Sequence, residues 1–118
     1  AVGDLTVTPF EVLHPSGAPP YALRIETQGR IIAFSGDSEW VESLVPAGKG
    51  ADLLILECYN FDRDTRYHMS WATIAKNLPR FGARQVMLTH MNAGMLANRA
   101  QATGPGIVHA EDGLVLEI

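Results

Sequence analysis

Apolar and polar positions along the chain follow two periods, and the switches between them mark out alternating strands and helices. Leu5–Leu13 (LTVTPFEVL) is rich in β-branched and aromatic residues, a strand pattern that Pro9 confines to an edge or a bulge. His14–Pro20 (HPSGAPP) reads as a loop, because its prolines and glycine break either period. Tyr21–Thr27 (YALRIET) alternates as a half-buried strand should. Gln28-Gly29 then supplies a tight turn, and Arg30–Ser35 (RIIAFS) returns as a more buried strand, giving a hairpin.

Beyond Ser35-Gly36-Asp37-Ser38 the period lengthens. Trp40, Val41, Leu44 and Val45 have helical spacing, with Pro46-Ala47-Gly48 closing the segment. Asp52–Glu57 (DLLILE) is short and almost wholly apolar, the pattern of a central strand covered on both faces. The stretch YNFDRDTRYH has little periodicity and reads as a long loop. Ser70 is positioned as an N-cap for a helix that places Trp71, Ile74, Ala75 and Leu78 on one face, ended by Pro79 and Gly82. Arg84–Thr89 (RQVMLT) is a further strand, and Met91–Gln101 has room for a short helix. Ile107–His109 and Leu114–Ile118 are expected to pair as a final hairpin across Ala110-Glu111-Asp112-Gly113. This alternation implies an α/β layered architecture in a single domain, residues 1–118.

Composition narrows the function classes. Hydrophobic residues make up 47% of the 118 residues, enough for a folded core. Nine basic against thirteen acidic side chains, with Lys49 and Lys76 the only lysines, disfavour a surface that coats nucleic acid. Cys58 is the only cysteine and suits a reducing, cytoplasmic compartment. No apolar run approaches the roughly 18 residues that cross a bilayer, and the first residues lack a secretory pattern. The chain begins with Ala1 in an extended-looking segment without an initiating Met, which is the expectation for a piece of something longer.

Three polar groups fall at comparable places: Asp37 after RIIAFS, His90 after RQVMLT, and His68 in the loop after DLLILE. Ligands of open α/β sheets collect outside the carboxyl ends of strands, where a carboxylate and two imidazoles can bind a metal or serve as acid and base. Each residue also has an ordinary structural role open to it. Asp37 can cap the following helix, His90 can be a hydrogen-bonded histidine at the edge of the core, and His68 can lie in a solvated loop. Glu57 ends an apolar strand, so it either finds a partner such as His68 or protrudes into water. Cys58 reads as a small buried hydrophobe, and Trp40 and Trp71 as packing residues. Phosphate-binding patterns of the G-x-G-x-x-G and G-x-x-x-x-G-K-[ST] types are missing.

The ordered set Ser35-Gly36-Asp37, Ala51-Asp52-Leu53-Leu54-Ile55-Leu56-Glu57, His68-Met69-Ser70 and Met87-Leu88-Thr89-His90, preceded by Val12-Leu13-His14, resembles the carboxyl-terminal half of metallo-β-lactamase-fold hydrolases. The similarity is greatest to the branch of tRNA 3′-processing endonucleases and related phosphodiesterases. It implies half of an αββα sandwich: a mixed β-sheet with helices on one face. It also implies Asp37 and His90 as metal ligands in a binuclear zinc site and His68 as a proton donor beside the leaving group. Glu57 would support His68, and His14 would lie on the substrate side.

One departure from the family pattern has consequences for chemistry. The H-x-H-x-D-H motif that builds the first metal site is absent, and His14, His68, His90 and His109 do not reproduce it. Two ligands are fewer than the three or four a zinc site uses, so the chain alone is expected to bind Zn2+ weakly and to catalyse little. The expected partner is a missing amino-terminal half or a second copy of the chain. The expected substrate is a small ester or phosphodiester, with nucleic acid less favoured. The alternative expectation is a non-catalytic association module that keeps the fold, since half a sandwich leaves one apolar sheet face bare.

Overall fold

A single mixed sheet organises the computed structural model, which describes residues 3–15 and 17–118. Ala1, where the extended segment was expected to start, and Ser16 of the proline loop lie outside the described residues. The strands are β1 (Thr6–Glu11), β2 (Tyr21–Thr27), β3 (Arg30–Phe34), β4 (Leu53–Glu57), β5 (Gln85–Thr89) and β6 (Ile107–His109), lying side by side in chain order. β1 to β3 are antiparallel neighbours, whereas β3 to β6 run parallel. Pro9 sits on β1, the outer strand, where its missing N–H interrupts no inner ladder.

The parallel strands need crossovers, and three short helices provide them: α1 (Leu44–Gly48), α2 (Trp71–Asn77) and α3 (Ala93–Asn98). Ser70 caps α2 as expected, its hydroxyl accepting from Thr73 N at 3.2 Å. Asn92 caps α3 in the same way, accepting from Met95 N at 2.8 Å. Two expectations are corrected. Trp40 and Val41 precede α1 instead of lying in it, because Leu44 N and Val45 N close tighter turns onto Val41 O and Glu42 O, three residues back, and the first helical residue is Leu44. Pro46 therefore falls inside the first turn, where its missing N–H has no intrahelical partner to lose. The final hairpin also does not form. A turn does close with Leu114 N donating to Glu111 O, but β6 pairs with β5 and residues 114–118 form no strand. Turn chemistry is local, whereas pairing needs a buried return strand, and Val115 stands 84% exposed.

The period-2 pattern sorts the sheet into two faces. Ala22, Ala33, Leu54, Leu56, Val86 and Leu88 point to the helices and join one buried cluster with Leu44, Ile74, Phe81 and Met95. The other face presents Leu23, Ile25, Ile32, Phe34, Ile55, Met87 and Val108 at the matching register positions. Among the described residues no helix covers them, and Phe34 is exposed together with Val7 and Tyr21. The fold is thus the expected mixed sheet with helices on one face and an apolar face left open.

Candidate functional site

Chain direction places the carboxyl ends of β3, β4 and β5 at one edge of the sheet, and each strand delivers one arm of the site. On the first arm, Ser35 N extends the ladder to Ile55 O at 2.9 Å, after which Gly36 adopts φ +60 and turns the chain away from the sheet. A side chain at Gly36 would be strained by that φ, so glycine there is a backbone requirement. Asp37 follows, exposed and free of any helix-capping role, since α1 begins seven residues later. His90 ends the β5 arm with φ 57, a left-handed conformation uncommon for a residue with a side chain. Its Nε2 lies 3.7 Å from Asp37 Oδ2. The two reach toward one point from neighbouring arms.

The β4 arm carries Glu57, which is fully buried rather than protruding into water. Its carboxylate is satisfied by four donors. Oε1 accepts from Ser38 N at 3.0 Å and faces His68 Nδ1 at 2.7 Å, while Oε2 accepts from Tyr59 N and Met69 N at 3.1 Å each. Burial pushes the Glu57 carboxyl above the usual carboxylate range, opposed by the hydrogen bonds from His68, Ser38 and Met69. When Glu57 is ionised it accepts from His68 Nδ1, which places the imidazole proton there and leaves Nε2 available. The segment holding His68 is itself pinned: His68 N donates to Thr65 O, and Tyr67 takes φ 71 in the intervening turn.

Aromatic rings complete the cluster. His14 meets His68 edge to face at 5.2 Å, so the loop after β1 reaches the same place. Tyr59 stacks on His68 at 4.5 Å and on His90 at 5.4 Å. The structure therefore brings together all five candidate residues, Asp37, Glu57, His68, His90 and His14. It adds three that the sequence did not single out: Tyr59, Ser35, which accepts from Glu57 N at 3.0 Å, and Ser38. The serines of Ser35-Gly36-Asp37-Ser38 were visible in the motif, but their use as hydrogen-bond partners of Glu57 depends on tertiary contact. Cys58 is buried with its thiol pushed up to about 12, chiefly by burial, which keeps it protonated and inert.

The donor set fits a metal in part. Asp37 and His90 offer an oxygen and an imidazole nitrogen, the donors zinc takes, at a separation that allows one ion to touch both. Among the described residues no group of three or more His, Cys, Asp or Glu converges in this way. Asp37 and His90 are exposed at this edge, with side chains 42% and 43% accessible, whereas Glu57 is buried behind His68.

Comparison with known proteins gives consistent matches. The family described as "Beta-lactamase superfamily domain" matches residues 1–91. The probable metallo-hydrolase YhfI of Bacillus subtilis is 33% identical over 93 residues, covering 75% of this chain and 37% of the relative. The crystal structure of the metallo-beta-lactamase fold protein YhfI from that organism aligns with a TM-score of 0.82 at 28% identity, over 99% of this chain and 51% of that one. Human tRNase Z, short form, aligns with a TM-score of 0.75 at 25% identity, over 98% of this chain and 44% of that one. The chain thus spans about half, or less, of the length of these relatives.

Proposed function

Because this chain belongs to the beta-lactamase superfamily and has the metallo-β-lactamase fold, we propose that it supplies the carboxyl-terminal part of a metal-dependent hydrolase acting on a phosphodiester or other ester. The observation that carries this reading is the meeting of two pairs, Asp37–His90 and Glu57–His68, at the carboxyl ends of three adjacent parallel strands.

Asp37 and His90 would hold metal, with zinc the ion that suits their donors and two ions in the complete site. Bound metal would act as a Lewis acid, stabilising negative charge as it develops on the attacked ester. The chain's own residues supply the rest. Glu57 holds the Nδ1 proton of His68 and so orients the ring, and His68 Nε2 carries a proton to the departing oxygen. His14, packed edge-on against His68, lies on the substrate side.

The remaining metal ligands come from a partner layer, either the missing amino-terminal half or a second copy of the chain. The open apolar face of Ile32, Phe34, Ile55 and Met87 supports such a layer. Alone, the chain binds metal weakly and turns over little. The net charge of −4 and the two lysines favour a small ester over nucleic acid, and the single buried Cys58 suits the cytoplasm. Among the described residues no helix is long and apolar enough to cross a membrane.

Calorimetric titration of Zn2+ into the chain, Asp37→Ala and His90→Ala tests the metal role. Weak binding lost in both variants is expected, and binding undiminished by either overturns it. Hydrolysis of bis(p-nitrophenyl) phosphate by the assembled protein, with the same two substitutions, tests the reaction. The same open face favours a second reading, a non-catalytic association module. Absence of zinc binding even in the assembled protein, together with stable association, would select that reading.

A further inference from the structure

We propose that Tyr59 is a positioning residue of this site, its ring wedged against the imidazoles of both His68 and His90 and setting the relation between them. The proposal rests on the hydrolase reading for its consequence in catalysis, though not for its geometry. The Tyr59 ring lies 4.5 Å from His68 with 28° between the planes, and 5.4 Å from His90 with 30° between them. The two imidazoles are themselves 5.3 Å apart and tilted by 31°. Tyr59 thus stacks on both imidazoles, which meet each other only at a tilt, and it belongs to both stacked contacts.

The backbone of Tyr59 is tied to both arms as well. Its N–H donates to Glu57 Oε2, on the carboxylate that orients His68. Its carbonyl accepts from Asn92 N at 2.9 Å, two residues beyond His90. These bonds hold the backbone from which the ring projects between the two arms.

What the imidazoles need explains why a ring serves. A histidine that binds metal or carries a proton must keep its nitrogens, which lie on the ring edge, free of blocking contacts. Stacking restrains the plane of the ring and leaves the edge accessible, so His68 Nδ1 still reaches Glu57 and His90 Nε2 still faces Asp37. The restraint matters most for His90. Its side chain is 43% exposed, and its 3.7 Å approach to Asp37 is longer than a hydrogen bond. His68, by contrast, is also held by a 2.7 Å contact to Glu57. Loss of the ring should therefore loosen His90 more than His68.

The contact is made through the ring face, so phenylalanine should serve as well as tyrosine and an aliphatic side chain should not. The test uses Tyr59→Phe and Tyr59→Leu, with Tyr59→Met in place of the latter should it fail to fold. Carbon-13 relaxation of the imidazole Cε1–H groups is recorded for His68, His90 and His109. His109 bonds Ala102 O at 2.8 Å away from the cluster and reports an intact fold. The expected result is greater ring mobility at His90, and less so at His68, in Tyr59→Leu, with wild-type values in Tyr59→Phe and at His109. Unchanged relaxation of His90 in Tyr59→Leu overturns the proposal, as does an equal change in Tyr59→Phe.

Steady-state hydrolysis of bis(p-nitrophenyl) phosphate by the assembled protein supplies the second readout. Tyr59→Leu should lower kcat by about ten- to a hundredfold with little change in KM, and Tyr59→Phe should restore it. Absence of hydrolysis by the wild-type protein would count against the hydrolase reading alone, because the relaxation result decides the positioning role separately.

Discussion

His68 Nδ1 lies 2.7 Å from Glu57 Oε1, and three backbone N–H groups complete the coordination of the same buried carboxylate. All four partners are donors. A carboxylate suits this nest because both of its oxygens accept, and no neutral isostere reproduces that. In Glu57→Gln the amide NH2 must replace either Oε1, against Ser38 N–H, or Oε2, against Tyr59 and Met69 N–H. In either orientation at least one buried donor loses its acceptor, at a cost of about 1–3 kcal/mol. Urea denaturation of Glu57→Gln should show this loss of stability although the substitution is isosteric. A stability equal to wild type would mean that the nest tolerates a neutral side chain.

Gly106 precedes β6 with φ +77, and a Cβ built on it would stand 2.5 Å from the carbonyl oxygen of Arg84. The close approach is used, since Val86 N donates to Gly106 O at 2.8 Å and so starts the pairing of β6 with β5. Gly106→Ala combines left-handed strain with a clash against backbone that no rotamer relieves. We expect a destabilisation of about 2–4 kcal/mol. Hydrogen exchange should localise it, with faster exchange at Val86 N and Ala110 N, the amides that hold β6 in place. Gly104→Ala is the control, because its backbone lies outside the left-handed region and a Cβ there would meet Ile107 Cγ1 at an ordinary 3.5 Å.

The features legible in the sequence are those written in short stretches of chain. The alternation of Tyr21–Thr27, the turn at Gln28-Gly29, the apolar run Leu53–Leu56 and the cap at Ser70 each depend on a few neighbouring residues, and each stands where the pattern places it. The start of α1 was not legible, because the segment before it is held by the fold, with Ser43 Oγ donating to Glu11 O 32 positions away and Glu39 N to Leu13 O. The final hairpin had its turn but no partner surface to bury Val115. The same division runs through the site. That Asp37, His68 and His90 follow strands could be read directly, whereas the burial of Glu57 depends on donors from the segments at Ser38 and Met69. Tyr59 gave no signal at all, since stacking on two histidines 9 and 31 residues away is purely a product of the fold.

Phe34 and Ile55 are register partners on the open face of the sheet, and Phe34 remains 39% exposed. A contiguous apolar face of this kind invites cover by a partner. We expect the isolated chain to associate with itself in a concentration-dependent way in sedimentation velocity. Phe34→Lys should weaken that association about tenfold or more, because the ammonium would be buried without a partner. Since Phe34 does not join the helix-side core, the thermal stability of the dilute chain should change little. Association that persists unchanged in Phe34→Lys would place the contact elsewhere on the molecule.

Glu42 and Arg80 form a bidentate pair that ties the segment before α1 to the helical turn after α2, with Trp40 Nε1 also donating to Glu42 at 3.0 Å. The Arg80 hydrogen bond leads the causes that lower the Glu42 carboxyl from 4.5 to about 2. The sign of its effect on stability follows from linkage. A carboxyl depressed in the folded state contributes stability at pH values above its unfolded pKa, and the contribution disappears as pH falls through the folded one. Urea denaturation of wild type and Glu42→Gln should therefore differ most at neutral pH and converge as pH falls from about 4.5 to about 2. The pair is exposed to solvent, so the difference at neutral pH should be small and should shrink further in high salt. Curves that stay parallel across this pH range would show that the ion pair contributes nothing to folding.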